Sequence, residues 1–514
     1  MRDDDRPTGE SDESTAGAGA SAGVTAPPTE AGHPDERADR GFFGQPRALA
    51  HIFGVEMWER FSFYGMQSIL LLYLYFSASE GGLGMEQSAA AGIVGAYGGA
   101  VYLSTILGAW IADRMLGSER VLFISAIVIM AGHIALALLP GFIGVGVGLV
   151  LVAFGSGGLK ANATSVVGTL YSRDDPRRDA GFALFYLGIN LGAFLGPLIT
   201  GLLQSTVGFH WGFGAAAVGM AIGLIQYSFG RKGLPPEASV VPNPLPRERR
   251  GLVVGIAIAS VILVAALVLT RLVTAENLVT WVIGGTVVAA VAYFIVILSS
   301  RAVTAVERSR VFGFIPLFIA SVAFWSLYQQ QFTVLTIYSD EQLDRNLFGW
   351  EMPISWVQSI NPVFIILLSG VFAAIWTKLG DRQPSTPVKF ALGTTVMGVA
   401  FLLFIPFAGG GANSTPLLAI VGILFVFTVA ELLLSPVGLS VATKLAPEKF
   451  HTQMVALFFL SVALGTAVAG QLAEFYTSVP EAIYFGVLGA IAIVLGGALA
   501  LATRPVLRLM HGVR

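Results

Sequence analysis

Glu56, Glu59 and Arg60 stand three and four residues apart in Glu56-Met-Trp-Glu59-Arg60-Phe-Ser-Phe-Tyr64-Gly65. On an α-helix that spacing puts all three on one face. The flanking sequence is apolar enough to cross a bilayer, so these charges are expected at membrane depth. There a charged side chain costs about 2.5–3.5 kcal/mol on insertion scales, and it marks an ion or substrate path. Two acids and a base on one face are suited to moving protons beside a charged solute.

Two further charges stand alone in apolar helices. Lys160 lies in Phe154-Gly-Ser-Gly-Gly-Leu-Lys160-Ala-Asn162-Ala-Thr164. Apolar helix extends on both sides, which argues against its snorkelling to an interface. Glu431 lies in Phe425-Val-Phe-Thr-Val-Ala-Glu431-Leu-Leu-Leu-Ser435-Pro436. Pro436 there frees a backbone carbonyl and bends the helix, exposing polar groups to a cavity. The intramembrane set is three acids against two bases, and one added proton balances it. Uncompensated charge in low dielectric is costly, which gives proton coupling a physical basis. A zwitterionic solute adds no net charge. Its carboxylate can meet Arg60 and Lys160, its ammonium Glu431.

Tyr102, Asn190, Trp325, Gln329, Gln358, Asn361 and Ser435 are candidates for a cavity wall. Each serves equally well as helix–helix glue or interfacial belt. Glu474 reads as interfacial and His133 as an ordinary buried polar residue.

The chain around these residues is strongly apolar. Of 514 residues, 55% are hydrophobic and 12% charged, and mean hydropathy is +0.74. A soluble domain carries roughly 25% charged residues. Cysteine is absent, which excludes disulfides and thiolate metal sites. The six histidines show no paired metal-ligand spacing, and Gly158-Leu-Lys160-Ala does not fit a phosphate loop. Gly144-Val-Gly146-Val-Gly148 reads as close helix packing. No nucleophile–base pair, cofactor motif or nucleic-acid signature is visible. A proton gradient is therefore the expected energy source, and an enzyme is not expected.

Residues 1–45 are polar and poor in large apolar side chains, the composition of a disordered tail. They contain no apolar signal-peptide core. Apolar windows long enough for ~30 Å of hydrocarbon then recur. They fall near 48–77, 88–113, 119–140, 142–170, 180–203, 209–229, 251–270, 277–299, 312–338, 353–379, 388–408, 414–444, 451–476 and 481–503. Fourteen spans put both termini on one side. Nearly all of the 30 Lys and Arg then fall on that side, which the positive-inside rule makes cytoplasmic. The pair at 251–270 and 277–299 lacks interior charge and reads as a lipid-facing hairpin. It separates an N-terminal six-helix bundle (46–232) from a C-terminal one (311–514), within a 233–310 linker. Gly108-Ala-Trp-Ile-Ala-Asp113-Arg114 after the second span has a weaker echo in Lys378-Leu-Gly380-Asp381-Arg382. Internal repetition of this kind is typical of transporters that bind substrate between halves.

At these residues the chain resembles the proton-dependent oligopeptide transporters, the POT or PTR family of the major facilitator superfamily. The likeness covers nearly everything after residue 45 and extends to the inserted helix pair of bacterial members. Glu56-Met-Trp-Glu59-Arg60-Phe resembles the family's ExxERF element. The Phe154–Asn162 stretch, Phe185-Tyr186-Leu-Gly-Ile-Asn190-Leu-Gly192, Gln358-Ser-Ile-Asn361-Pro362 and Glu431-Leu-Leu-Leu-Ser435-Pro436 match further family elements in order.

The resemblance implies an all-α membrane protein of major facilitator fold. Twelve core transmembrane helices form two six-helix bundles, with two helices inserted. It implies that Arg60, Lys160 and Tyr64 hold a peptide carboxylate, and that Asn190, Asn361 and Glu431 hold its amino terminus. Tyr102 and Trp325 would line side-chain pockets, with Gln329 and Ser435 on the same wall. Glu56, Glu59, Arg60 and Lys160 would couple transport to protons. Phe63, Gln67, Gln329 and Phe458 depart from the usual Tyr, Arg, acid and Trp, so a neutral pair replaces an inter-bundle salt bridge.

The expected function is proton-coupled import of di- and tripeptides by a monomer in the plasma membrane, with no cofactor. The alternatives are the same fold carrying nitrate, an amino-acid-like metabolite or a peptidomimetic, and a non-transporting sensor. Glu431 argues for a cargo that carries an amine.

Overall fold

The computed structural model describes residues 40–172 and 175–513. The expected disordered tail lies outside the described residues up to position 39. From there the chain is ordered earlier than expected. Phe42 and Gln45 pair through backbone hydrogen bonds, and Phe42 packs on Phe53 with ring centroids 5.5 Å apart.

The first half contains α1 (Arg47–Tyr75), α2 (Gln87–Ile111), α3 (Ser118–Leu138), α4 (Gly141–Gly168), α5 (Arg178–Thr206) and α6 (Phe209–Gly230). The inserted pair is α7 (Arg247–Leu269) and α8 (Leu278–Ser299). The second half contains α9 (Ala305–Tyr328), a short α10 (Val334–Glu341), α11 (Ile360–Leu379), α12 (Thr386–Leu402), α13 (Leu417–Lys444), α14 (His451–Tyr476) and α15 (Glu481–Leu501). A terminal α16 (Thr503–Leu509) follows. Thirteen of the described helices, some with a short extension, are long and apolar enough to span a membrane. α1 is long enough to be a fourteenth and carries the Glu56, Glu59 and Arg60 charges inside it.

The halves are built alike. In the first, α1 packs on α5 and α6, α2 on α4, and α3 on α4 and α6. In the second, α9 packs on α14 and α15, α11 on α13, and α12 on α13 and α15. These are the same five pairings by position within each half. Between halves, α2 meets α14 and α5 meets α11, which are the second and fifth helices of each bundle exchanged. The repeat hinted at by two short motifs is thus carried by the whole packing scheme.

The inserted helices differ from one another. α7 buries no residue, as a lipid-facing helix should. α8 does not share that character: Val279, Thr286, Ala290 and Ile297 are buried. Val279 clusters with Ala96 of α2 and Ala467 of α14, and Thr280 donates to Gln471 of α14 at 3.2 Å. α8 therefore covers the seam between the halves. The linker before α7 is also docked, with Asn243 and Leu245 donating backbone hydrogen bonds to Asp113 and Arg114 at 2.9 and 2.8 Å.

The end of the molecule reached by the C-terminus of α1 is called distal below, and the opposite end proximal. Two small β pairings decorate the distal end, Leu343–Asp344 with Thr415–Pro416 and Asn346–Leu347 with Trp350–Glu351. The span expected at 312–338 is broken: α9 stops at Tyr328, a 3-10 turn covers Gln329–Phe332, and α10 resumes at Val334.

Candidate functional site

α1 is locked to α5 by close backbone approach. A Cβ on Gly65 would lie 2.7 Å from Thr200 Cγ2, and one on Gly196 would lie 2.9 Å from the Gly65 nitrogen. Thr200 donates to the Gly65 carbonyl at 2.9 Å. This contact fixes the rotation of α1, and with it the face that carries its charges.

That face is almost sealed. Glu56, Glu59 and Arg60 are 1%, 0% and 3% exposed. Arg60 Nε donates to Glu56 Oε1 at 2.8 Å, a second guanidinium nitrogen lies 2.7 Å from the same oxygen, and Nε is 3.2 Å from Glu59 Oε2. Ser156 of α4 donates to Glu59 Oε1 at 2.8 Å. Glu56 Oε2 and Glu59 Oε2 have no hydrogen-bond donor. Two carboxylates around one guanidinium, with two oxygens unfilled, leave one negative charge that a proton would cancel.

One turn along α1 a cavity of about 310 Å³ opens between the halves. Of the residues expected on its wall, Tyr64, Tyr102, Lys160, Asn190, Trp325, Gln329, Asn361, Glu431 and Ser435 are all there. Gln358, the further wall candidate, is there too. Lys160 Nζ sits 4.2 Å from the centroid of the Tyr102 ring, a cation–π arrangement. Glu431 accepts from Asn361 Nδ2 at 3.2 Å. Asn361 also donates to Thr428 at 3.0 Å and accepts from the Tyr328 hydroxyl at 3.3 Å. The asparagine is thereby held with its amide toward Glu431. Asn190 donates to the Tyr186 carbonyl at 2.9 Å.

Arg60, Glu56 and Glu59 are not on the wall. In this arrangement the Arg60 guanidinium is taken up by two acids of its own helix. Lys160 is the cation on the cavity surface.

Sequence reasoning passed over Tyr186, Tyr328, Gln331 and Phe332, which also line the cavity. Tyr186 is four residues before Asn190 and Tyr328 three after Trp325, so helical spacing would have found both. Gln331 and Phe332 reach the wall through the 3-10 turn, which periodicity does not reveal. Phe332 stacks on Tyr64 across the halves, with centroids 6.0 Å apart. No group of three or more His, Asp or Glu that could hold a metal occurs among the described residues.

Toward the distal end the halves are fastened together. Tyr75 donates to Asp340 at 2.6 Å, Gln87 to Glu341 at 2.9 Å, Trp356 to the Leu198 carbonyl at 3.0 Å and Ser359 to the Phe194 carbonyl at 2.9 Å. α2 and α14 touch through glycines: a Cβ on Gly470 would lie 2.7 Å from Gly95 Cα. Toward the proximal end, α11 buries nothing beyond Ile365.

Known proteins share this architecture. Residues 119–491 match the family model described as PTR2, POT family. The di-/tripeptide transporter of Lactococcus lactis subsp. cremoris is 40% identical over 93% of this chain and 99% of its own. The chain belongs to the POT family. Another relative of this POT protein is the transporter YclF of Bacillus subtilis (strain 168), 44% identical over 92% of the chain and 97% of its own. A crystal structure of peptide transporter POT in complex with sulfate superposes with a TM-score of 0.88 at 42% identity, covering 93% of this chain and 100% of that one. A POT family transporter in complex with 5-aminolevulinic acid gives 0.86 at 38% identity, covering 91% and 98%. The POT protein is thus a membrane transporter of major facilitator type rather than an enzyme.

Proposed function

We propose that this protein imports di- and tripeptides together with protons, by alternating access, across the plasma membrane. Both termini and the proximal end face the cytoplasm, and the protein acts as a monomer without a cofactor. Bodies 46–232 and 311–514 move against each other, joined through 233–310. The observation that carries this reading is the cavity's charge layout. Lys160 comes from one half and Glu431 from the other. A solute with a carboxylate and an amine draws both halves together, and a ligand shifts a conformational equilibrium only through such differential contact. Tyr64, Asn190 and Asn361 add hydrogen-bonding groups beside the two charges, and Tyr102, Trp325, Gln329 and Ser435 complete the wall. Glu56, Glu59 and Arg60 hold the proton-handling charge behind Lys160. The di-/tripeptide transporters among the relatives support the cargo.

Purified protein in liposomes should accumulate labelled dipeptide when the outside is acidified. Glu59→Gln and Lys160→Ala should abolish that accumulation, with counterflow exchange retained by the Glu59 variant. Accumulation that ignores the gradient would reject proton coupling. A second reading keeps the fold and changes the cargo to a small amine-bearing acid. A relative's complex with 5-aminolevulinic acid favours it, and competition between that acid and dipeptides separates the two.

A further inference from the structure

We propose that the cavity admits peptides with neutral side chains and excludes those whose side chains are ionised. This rests on the peptide-transport reading above and specifies its substrate class.

Lys160 and Glu431 are the only acid or base among the described residues of the wall. Among the described residues, neither is in a salt bridge. The ammonium lies over an aromatic ring, and the carboxylate takes a neutral amide. Both full charges are therefore available to the two termini of a zwitterion. Nothing charged is left for a third group. Arg60 offers no relief to an acidic side chain, since Glu56 and Glu59 already surround it.

The remaining polar wall is neutral. Gln67 Oε1 and Gln358 Oε1 are buried acceptors without a donor, and Trp325 Nε1 is a buried donor without an acceptor. All three residues line the cavity. They come from α1, the 3-10 turn Ile354–Ser359 before α11, and α9, so neutral polar residues border the space from three sides. Neutral amide and indole side chains of this kind suit a peptide group or a side-chain amide. They solvate an ionised group weakly and neutralise none of its charge. Alternating access must close the cavity around its cargo, and closure removes the water that would otherwise carry such a charge.

The test is inhibition of labelled Ala-Ala uptake into proteoliposomes at pH 7 by Ala-Phe, Ala-Gln, Ala-Lys and Ala-Glu. Ala-Phe and Ala-Gln should inhibit at concentrations close to unlabelled Ala-Ala, and Ala-Lys and Ala-Glu only at roughly tenfold higher concentration or more. Placing an acid on the neutral wall should reverse part of this. Gln67→Glu, or Gln329→Glu where the first does not fold, should improve Ala-Lys inhibition and worsen Ala-Glu. Equal inhibition by all four peptides overturns the charge rule and leaves peptide transport standing. A folded acid variant with an unchanged ranking also overturns it. Failure to take up Ala-Ala at all rejects the peptide reading itself.

Discussion

Ser156 donates a 2.8 Å hydrogen bond to Glu59, and Ser156 lies four residues before Lys160 on α4. The acid pair of α1 is thereby tied to the helix that presents the cavity's cation. In the proposed cycle, a proton held at Glu59 and a carboxylate held at Lys160 would act on the same two-helix unit. That is a short physical route between driving force and cargo.

Breaking the tie should weaken coupling before it weakens binding. Ser156→Ala removes a hydrogen bond to a charged partner, worth about 1.5–3 kcal/mol. Gradient-driven dipeptide accumulation should fall and its pH profile should move, while counterflow exchange persists. A variant with wild-type accumulation and an unmoved profile would show that the bond is merely structural.

The glycine contact between α2 and α14 should govern distal closure. Gly470→Leu places a branched side chain where backbone now meets backbone at Gly95. The distal seam should be forced apart. The chain contains no cysteine, so a single Gln67→Cys reporter can be labelled without background. Gln67 is 4% exposed, and its labelling from the outer face should rise several-fold in the Gly470→Leu background. Unchanged labelling would place the closing contact elsewhere.

The charges were legible from sequence because membrane depth makes them conspicuous. Glu59, Lys160 and Glu431 each stand out against apolar neighbours, and the fourteen-span reading followed from the same contrast. The role of Arg60 was less legible. Sequence places it on the right face but does not say that two acids of its own helix occupy it first. Gln331 and Phe332 were hidden because the chain breaks into a 3-10 turn inside one continuous apolar run. α8 misled for a related reason. Its composition is as lipid-like as that of α7, and only the small residues facing it, Gly99 and Ala467, reveal that α2 and α14 leave room for it.

That difference between the inserted helices has a measurable side. Ala290 of α8 is 4% exposed, so Ala290→Leu overpacks a filled interface and should cost about 1–3 kcal/mol. Ala259 of α7 is exposed, and Ala259→Leu should leave thermal stability unchanged. A lowered Tm and slowed transport are expected for the first variant alone. Equal behaviour of the two would mean that α8, like α7, merely faces lipid.

His133 of α3 should yield stability rather than function. It is 0% exposed, and neither ring nitrogen has a hydrogen-bond partner. A buried polar group left unpaired costs about 1–3 kcal/mol, and an apolar group of similar size removes that cost. No residue of α3 lines the cavity, so His133→Leu should raise Tm in detergent and leave dipeptide uptake at the wild-type rate. A lowered Tm would mean that the ring is held by a buried water rather than by packing alone. A lost transport rate would mean that α3 takes part in the conformational cycle, which its packing on α4, the helix of Lys160 and Ser156, would then have to transmit.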